Sequence, residues 1–347
     1  MANIFARSPY LIKIDEAGQS GSKVELFLSN TTFSVNPQYT LSKLIPASNN
    51  LETLYDISPY IREYISFTTP SESTTSLTNP TNERVNVRVK RYKLVGSTYT
   101  LLNTVDYIAF DGYTYYQESY NFDAGNYGLE EGNYYYWWLD GYAGQIRAIT
   151  GASFTAKYTS FDAIPIVTSI AISSGTYDIA RVLSANLSVG NKVEILNSAL
   201  AVQKTYYFYP QDECKYTPVR LDFINRYGAW QTEYFFKASN ETFSVENTEY
   251  NLLQTDSYNY NFNEGQRKTF NTNGKKSIKV NTGWVDETWK ETLKQIMLSE
   301  RILISDGNYL PVKINTKSTE LFKHINTKQI NYSLEFEFAY DVINSVI

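Results

Sequence analysis

The chain has 347 residues, of which 42% are apolar and only 19% charged, with a formal net charge of −5. That length exceeds what one hydrophobic core normally supports, and the apolar fraction is enough to build two or three domains. The negative net charge argues against general affinity for nucleic acid, and no stretch of about 18 apolar residues is present to span a bilayer.

At the start, Arg7, Lys13 and Asp15 come before any apolar run of export-signal length, so no signal peptide is expected. Val24, Leu26 and Leu28 alternate with polar residues and predict a strand with one buried face. Ser58-Pro59 opens a short helical turn reaching Ile65. From Ser66 to Glu83, ten of eighteen residues are Ser or Thr, with Pro70 and Pro80 among them, which reads as a long loop or arm. The apolar residues Val85, Val87 and Val89 sit on odd positions and Tyr92 and Leu94 on even ones. A one-residue bulge near Lys90 and Arg91 accounts for that switch.

Asp111-Gly112 and Asp306-Gly307 each separate two alternating runs and predict tight hairpins, and Val189-Gly190-Asn191 and Asn273-Gly274 carry a fainter signal of the same kind. The Asn-rich stretch from Asn240 to Lys276 reads as a polar passage into a C-terminal unit. Val285 to Ser299 predicts the one long helix, with Trp289, Leu293, Ile296 and Met297 on a shared face and Asp286 and Glu287 in its first turn. Ile330, Tyr332, Leu334, Phe336, Phe338 and Tyr340 then alternate as a long, half-buried strand. The expected fold is mainly β: two β-sandwich-like domains, residues 1–162 and 163–264, followed by an α+β unit, residues 265–347.

Chemistry-bearing side chains are scarce, with one histidine, His324, and one cysteine, Cys214, against 31 tyrosines. A lone His cannot build a histidine zinc site, and no Gly-x-Ser-x-Gly surrounds a serine for a triad. Cys214 reads as a small packed residue, and no Walker or dinucleotide fingerprint occurs. The stretch from Asp123 to Gly132 is acidic and Gly-rich but lacks the alternating oxygen ligands of an EF-hand, and it reads as a loop. A glycosidase needs two carboxylates at a set separation, which spacing in sequence does not measure. The expectation is a protein that is not an enzyme, with no catalytic, cofactor-binding or metal-binding residues.

Tyrosine instead supplies large, rather rigid, amphipathic contact area. Between Lys93 and Arg147 there is no basic residue, while seven carboxylates and eleven tyrosines accumulate around Tyr134-Tyr135-Tyr136-Trp137-Trp138. Five consecutive aromatics on a strand cannot all point to one side. Two readings follow: alternate rings fill a core, or the run is a contact surface for a partner protein or for sugar rings. Tyr134, Tyr135, Tyr136, Trp137 and Trp138, with Tyr332 and Phe336 of the last strand, are the candidate interface residues.

The segments Cys214-Lys215-Tyr216-Thr217-Pro218-Val219-Arg220 and Phe223-Ile224-Asn225-Arg226-Tyr227-Gly228-Ala229-Trp230 resemble a stretch of virion proteins from tailed phages that infect Bacteroidota. Gly283-Trp284, Leu298-Ser299-Glu300, Leu310-Pro311-Val312 and Ile330-Asn331-Tyr332-Ser333-Leu334-Glu335-Phe336 extend the likeness through the C-terminal part. The group so resembled is the tail ring proteins of crAss-like phages, which stack as cyclic oligomers around the DNA channel below the portal. The resemblance implies a virion tail protein of a podovirus-like particle, made in the host cytoplasm. It implies a homo-oligomeric ring contacting other phage tail proteins, with at most passive contact with channel DNA, and transfers no catalytic residue. The alternative is a receptor- or carbohydrate-binding tail adhesin.

Overall fold

The computed structural model describes residues 2–46, 51–70, 79, 82–118, 128–150, 152–252, 263, 265–305, 307–321 and 330–344. The fold is mainly β, as expected, with its one long helical segment near the C-terminus. The chain gathers into two compact units, each assembled from separate stretches. The first holds Met1–Asp212, Asp222–Glu233 and Glu291–Ser299, and the second Glu213–Leu221, Tyr234–Lys290 and Glu300–Ile347. Residue 163, an expected boundary, lies within Met1–Asp212 of the first unit, and residue 265, the other, within Tyr234–Lys290 of the second.

In the first unit, β1 (Ala2–Phe5), β3 (Gly21–Ser29), β4 (Tyr39–Leu44), β6 (Arg84–Val95) and β7 (Thr98–Phe110) form a sheet ordered β1-β7-β6-β3-β4. Strands β2 (Leu11–Ile14) and β5 (Thr53–Asp56), with the short helix α1 (Ser58–Arg62), supply the second layer. Val24, Leu26, Val85, Val87 and Val89 are buried against Ile12, Ile14, Tyr55, Ile57 and Ile61, a sandwich built by alternation. The β6 register shifts between Arg91 and Tyr92 against β7, so the parity switch in the sequence is a bulge. At the base of the Ser/Thr-rich arm, the Ser66 amide donates to the Asn82 carbonyl (3.0 Å) and the Thr68 hydroxyl to Glu83 (3.1 Å). Residues 71–78, 80 and 81 of that arm lie outside the described residues.

A second five-stranded sheet combines β8 (Tyr134–Trp138), β10 (Phe154–Ser160), β11 (Val167–Ile172), β13 (Asn191–Leu196) and β14 (Val202–Gln211) in the order β11-β10-β13-β14-β8. The antiparallel pair of β9 (Gln145–Thr150) and β12 (Gly175–Ala180) adds a small layer, reached when the Tyr158 hydroxyl donates to the Ala180 carbonyl at 2.7 Å.

Strands β15 (Val219–Ile224) and β16 (Trp230–Phe235) each run from one unit into the other. Between them Asn225 Oδ1 accepts from the amides of Tyr227 (3.0 Å) and Ala229 (3.2 Å), and Gly228 takes a φ of +73°. This turn seats on Asp111-Gly112, where no hairpin forms, contrary to expectation. The Tyr113 amide donates to the Arg226 carbonyl (2.7 Å), and a Cβ on Gly112 would stand 2.5 Å from that carbonyl oxygen. Gly112 is glycine for close approach, not for turning.

The second unit contains β17 (Asn240–Asn251), β18 (Arg267–Asn281), β19 (Ile302–Ser305), β20 (Tyr309–Ile314) and β21 (Ser333–Phe338), ordered β19-β20-β21-β18-β17. β19 and β20 form the hairpin expected at Asp306-Gly307, Gly307 taking a φ of +98°, although Asp306 itself lies outside the described residues. Gly190 instead precedes β13, and Asn273-Gly274 lies within β18, so neither makes a hairpin. The expected helix is shorter than its periodic pattern: a 3₁₀ turn, Glu287–Trp289, leads into α2 (Lys290–Leu298). Asp286 caps the turn by accepting from the Thr288 amide. Leu293 and Ile296 are buried, as their shared face predicts. Among the described residues no helix is long and apolar enough to cross a membrane.

Candidate assembly surfaces

β8 runs parallel to β14 at one end of its sheet, in the register Tyr134↔Tyr207, Tyr135↔Phe208 and Tyr136↔Tyr209. Alternation divides the aromatic run between two faces. Tyr135 and Trp137 are buried with Tyr206 and Phe208, whereas Tyr134 and Tyr136 are 54% and 50% exposed and Trp138 is half-buried. On the outer face Tyr134 stacks on Tyr207 (centroids 5.1 Å apart), Tyr136 on Tyr209 (5.6 Å), and Phe161 on Tyr209 (5.0 Å). The result is a stripe of stacked rings in contact with solvent.

Beneath the inner face lies a buried ion pair, Arg181 Nη2 donating to Glu130 Oε1 at 2.8 Å. Arg181 lies over the ring of Tyr135 (4.7 Å) and donates through Nη1 to the Thr232 carbonyl (3.0 Å). Burial pushes the Glu130 carboxyl up, and the neighbouring Arg181 moderates that rise. The phenols of Tyr135 and Tyr206 are pushed up by the same burial. Arg147 makes a similar centre, donating to Asp178 (2.8 Å), to Glu83 and to the Gly228 carbonyl (3.2 Å). Each of these carboxylates is paired with a buried arginine, and Glu130 is wholly buried.

In the second unit, Tyr332 and Phe336 are 2% and 0% exposed, and Tyr332 stacks on Trp289 (5.8 Å). The expectation that Tyr135, Trp137, Tyr332 and Phe336 present an interface is corrected: each lies on the inward parity of its strand and fills the chain's own core. The candidate interface of the aromatic run narrows to Tyr134, Tyr136 and Trp138. Cys214 is exposed, not packed, because it sits between strands in an irregular stretch. His324 and residues 123–127 of the acidic loop lie outside the described residues.

The feature that sequence reading missed is the pairing of β17 with β18. All twelve β17 residues are exposed, and β18 becomes buried only from Gly274 onward. The two strands pair from Asn240↔Lys279 out to Asn251↔Arg267, with a bulge at which Asn271 takes a φ of +52°. The ribbon carries Phe243, Val245, Tyr250 and Phe270 at 57%, 54%, 46% and 48% exposure. Tyr250 meets Phe270 edge-on (5.6 Å), and the Phe243 ring covers Gly274, where a Cβ would lie 2.5 Å away. Phe243 alternating with Val245 and followed by Tyr250 was a readable strand signal inside the stretch expected to be a polar passage.

A cavity of about 220 Å3 in the first unit is lined by Tyr142, Gln145, Trp230, Glu83 and Asp178 among others. The Trp230 indole donates to the Thr68 carbonyl (2.9 Å), which fixes its ring against Phe67.

Neither a protein-family model nor a curated protein sequence matches this chain.

Proposed function

We propose that this chain is a non-enzymatic structural component of a bacteriophage tail, forming or attached to a ring around the DNA channel and joining neighbouring virion proteins. The observation that carries this reading is the bare β17/β18 ribbon. A two-stranded ribbon with exposed aromatics is marginal by itself and gains stability when other protein covers it. The stripe of Tyr134, Tyr136, Tyr207, Tyr209 and Phe161 is a second uncovered surface, on the other unit, and unlike patches on one chain are what a head-to-tail closed ring uses. The sequence resemblance from Cys214 onward supplies the phage tail as the setting. A net charge of −5 suits a channel that lets DNA slide without gripping it.

The test is native mass measurement of the purified chain, alone and with the other tail proteins of its particle. A discrete closed oligomer, or stable attachment to those proteins, is the expected result. Monomers at micromolar concentration that attach to none of them overturn the proposal.

The second reading, a carbohydrate-binding tail adhesin, is favoured by the cavity beside Trp230. Its volume is smaller than the roughly 300–1,000 Å3 of drug-sized pockets and suits a single sugar ring, with amide and carboxylate groups beside indole and phenol. Glycan binding that is lost on Trp230→Ala, in a chain that forms no oligomer, would favour this reading over the first.

A further inference from the structure

Resting on the ring reading, we propose that copies of this chain join by strand addition. The outer edge of β17 in one copy pairs with the distal edge of β18 in the next, so that the ribbons close into a continuous antiparallel belt.

Charge is segregated between the two strands. β17 carries Glu241, Glu246 and Glu249 and no basic residue, whereas β18 carries Arg267, Lys268, Lys275, Lys276 and Lys279 and no acidic one. Lys275 is matched within the ribbon by Glu246 at 2.9 Å. Arg267 and Lys268 lie beyond the bulge, on the stretch that pairs with β17 alone among the described residues. β21 meets β18 only from Ser277 to Asn281, and the Val342 amide reaches it at Gly274 (2.8 Å). Among the described residues the ribbon therefore has two unmatched edges of opposite character, an acidic one along β17 and a basic one along Arg267–Thr272.

A strand edge offers a row of backbone donors and acceptors that a second strand satisfies. Pairing β17 with its own copy would bring Glu241 and Glu249 of each chain together with no basic residue on either β17 strand, and like charges across strands are destabilising. Pairing β17 with the distal β18 edge sets acidic against basic residues. Copies related by rotation about an axis running along the strands keep their strand directions, so β18 of one and β17 of the next run antiparallel, as they do inside the ribbon. The contact uses different patches on each side and repeats until the rotation closes. It also covers Phe243, Val245, Tyr250 and Phe270 with neighbouring ribbons.

Charge reversal in full-length protein tests this. One variant, Glu241→Lys with Glu249→Lys, makes β17 basic, and another, Arg267→Glu with Lys268→Glu, makes the distal β18 edge acidic. Each alone is expected to weaken association on the order of tenfold or more, because like charges then face each other. An equimolar mixture is expected to restore it, since every junction between unlike variants pairs opposite charges. Circular dichroism melts check that both variants fold. If wild-type chain assembles and either variant alone assembles equally well, or the mixture fails to recover, strand addition is wrong while the ring reading stands. Wild-type chain that stays monomeric and attaches to none of its tail partners removes both.

Discussion

β8 and β17 are both terminal strands that carry exposed aromatic side chains, yet they stand differently in the molecule. β8 sends Tyr135 and Trp137 into a core and Tyr134 and Tyr136 outward, while β17 has no buried residue at all. The difference teaches that alternation makes a strand two-faced, but only a second layer of structure turns one of those faces into a core. β8 faces such a layer, with Arg181 and Glu130 beneath its rings. β17 extends past the point where its sheet is covered, and its stability in isolation rests on cross-strand pairs alone.

Substitutions can break or sharpen this contrast. Trp137→Ala is expected to have the largest effect, about 3–5 kcal/mol of unfolding free energy, because it empties a fully buried indole site. Urea denaturation measures it, and a loss below 1 kcal/mol would mean that β8 is no more anchored than β17. Arg181→Met is expected to cost about 3–5 kcal/mol by leaving the Glu130 carboxylate buried without its partner. Adding Glu130→Leu should recover most of that loss, and failure to recover would show that the charge pair is not what the β8 layer rests on.

The paired change Tyr134→Ala and Tyr136→Ala removes stacked rings from the exposed face, for an expected loss of about 1 kcal/mol or slightly more. Smaller still, Phe243→Ser with Tyr250→Ser should change the unfolding free energy of the isolated chain by no more than about 0.5 kcal/mol. The same change should weaken oligomer formation in sedimentation experiments. A large stability loss without any change in association would make the ribbon a folded element in its own right.

The smallest effect belongs to the surface of the first sheet. Arg88 Nε and Nη2 each donate to Asp106 at 2.8 Å, and this pairing holds the Asp106 carboxyl below its usual range. A depressed carboxyl contributes stability above its unfolded pKa and loses it as pH falls through the folded value. Wild type should therefore lose slightly more melting temperature than Arg88→Gln between about pH 5 and about pH 2. Equal losses would show that this pair contributes nothing measurable, in line with other half-exposed pairs.

Much of the local structure was legible from the residues. The parity switch after Val89 located the bulge to within a residue, and the alternation of Leu334, Phe336 and Phe338 located β21 and its buried face. The α2 face was readable from Leu293 and Ile296, although its pattern ran further than the helix. Asp111-Gly112 misled because glycine answers two different demands, a turn and a close approach, and the second involves Arg226, distant in sequence. In the aromatic run, the even and odd residues were separable in advance, but which set lay inside was not.

The sequence by itself determined that this is a β protein, because a two-residue period and turn chemistry are local properties of the backbone. It also determined that tyrosine far outnumbers histidine and cysteine, 31 against one of each. Only the tertiary structure decided that Asp222–Glu233 and Glu291–Ser299 complete the first unit, and that Tyr332 and Phe336 belong to the core of the second. It alone left β17 bare. Burial depends on what another part of the chain places opposite a strand, and residue order along the strand does not carry that information.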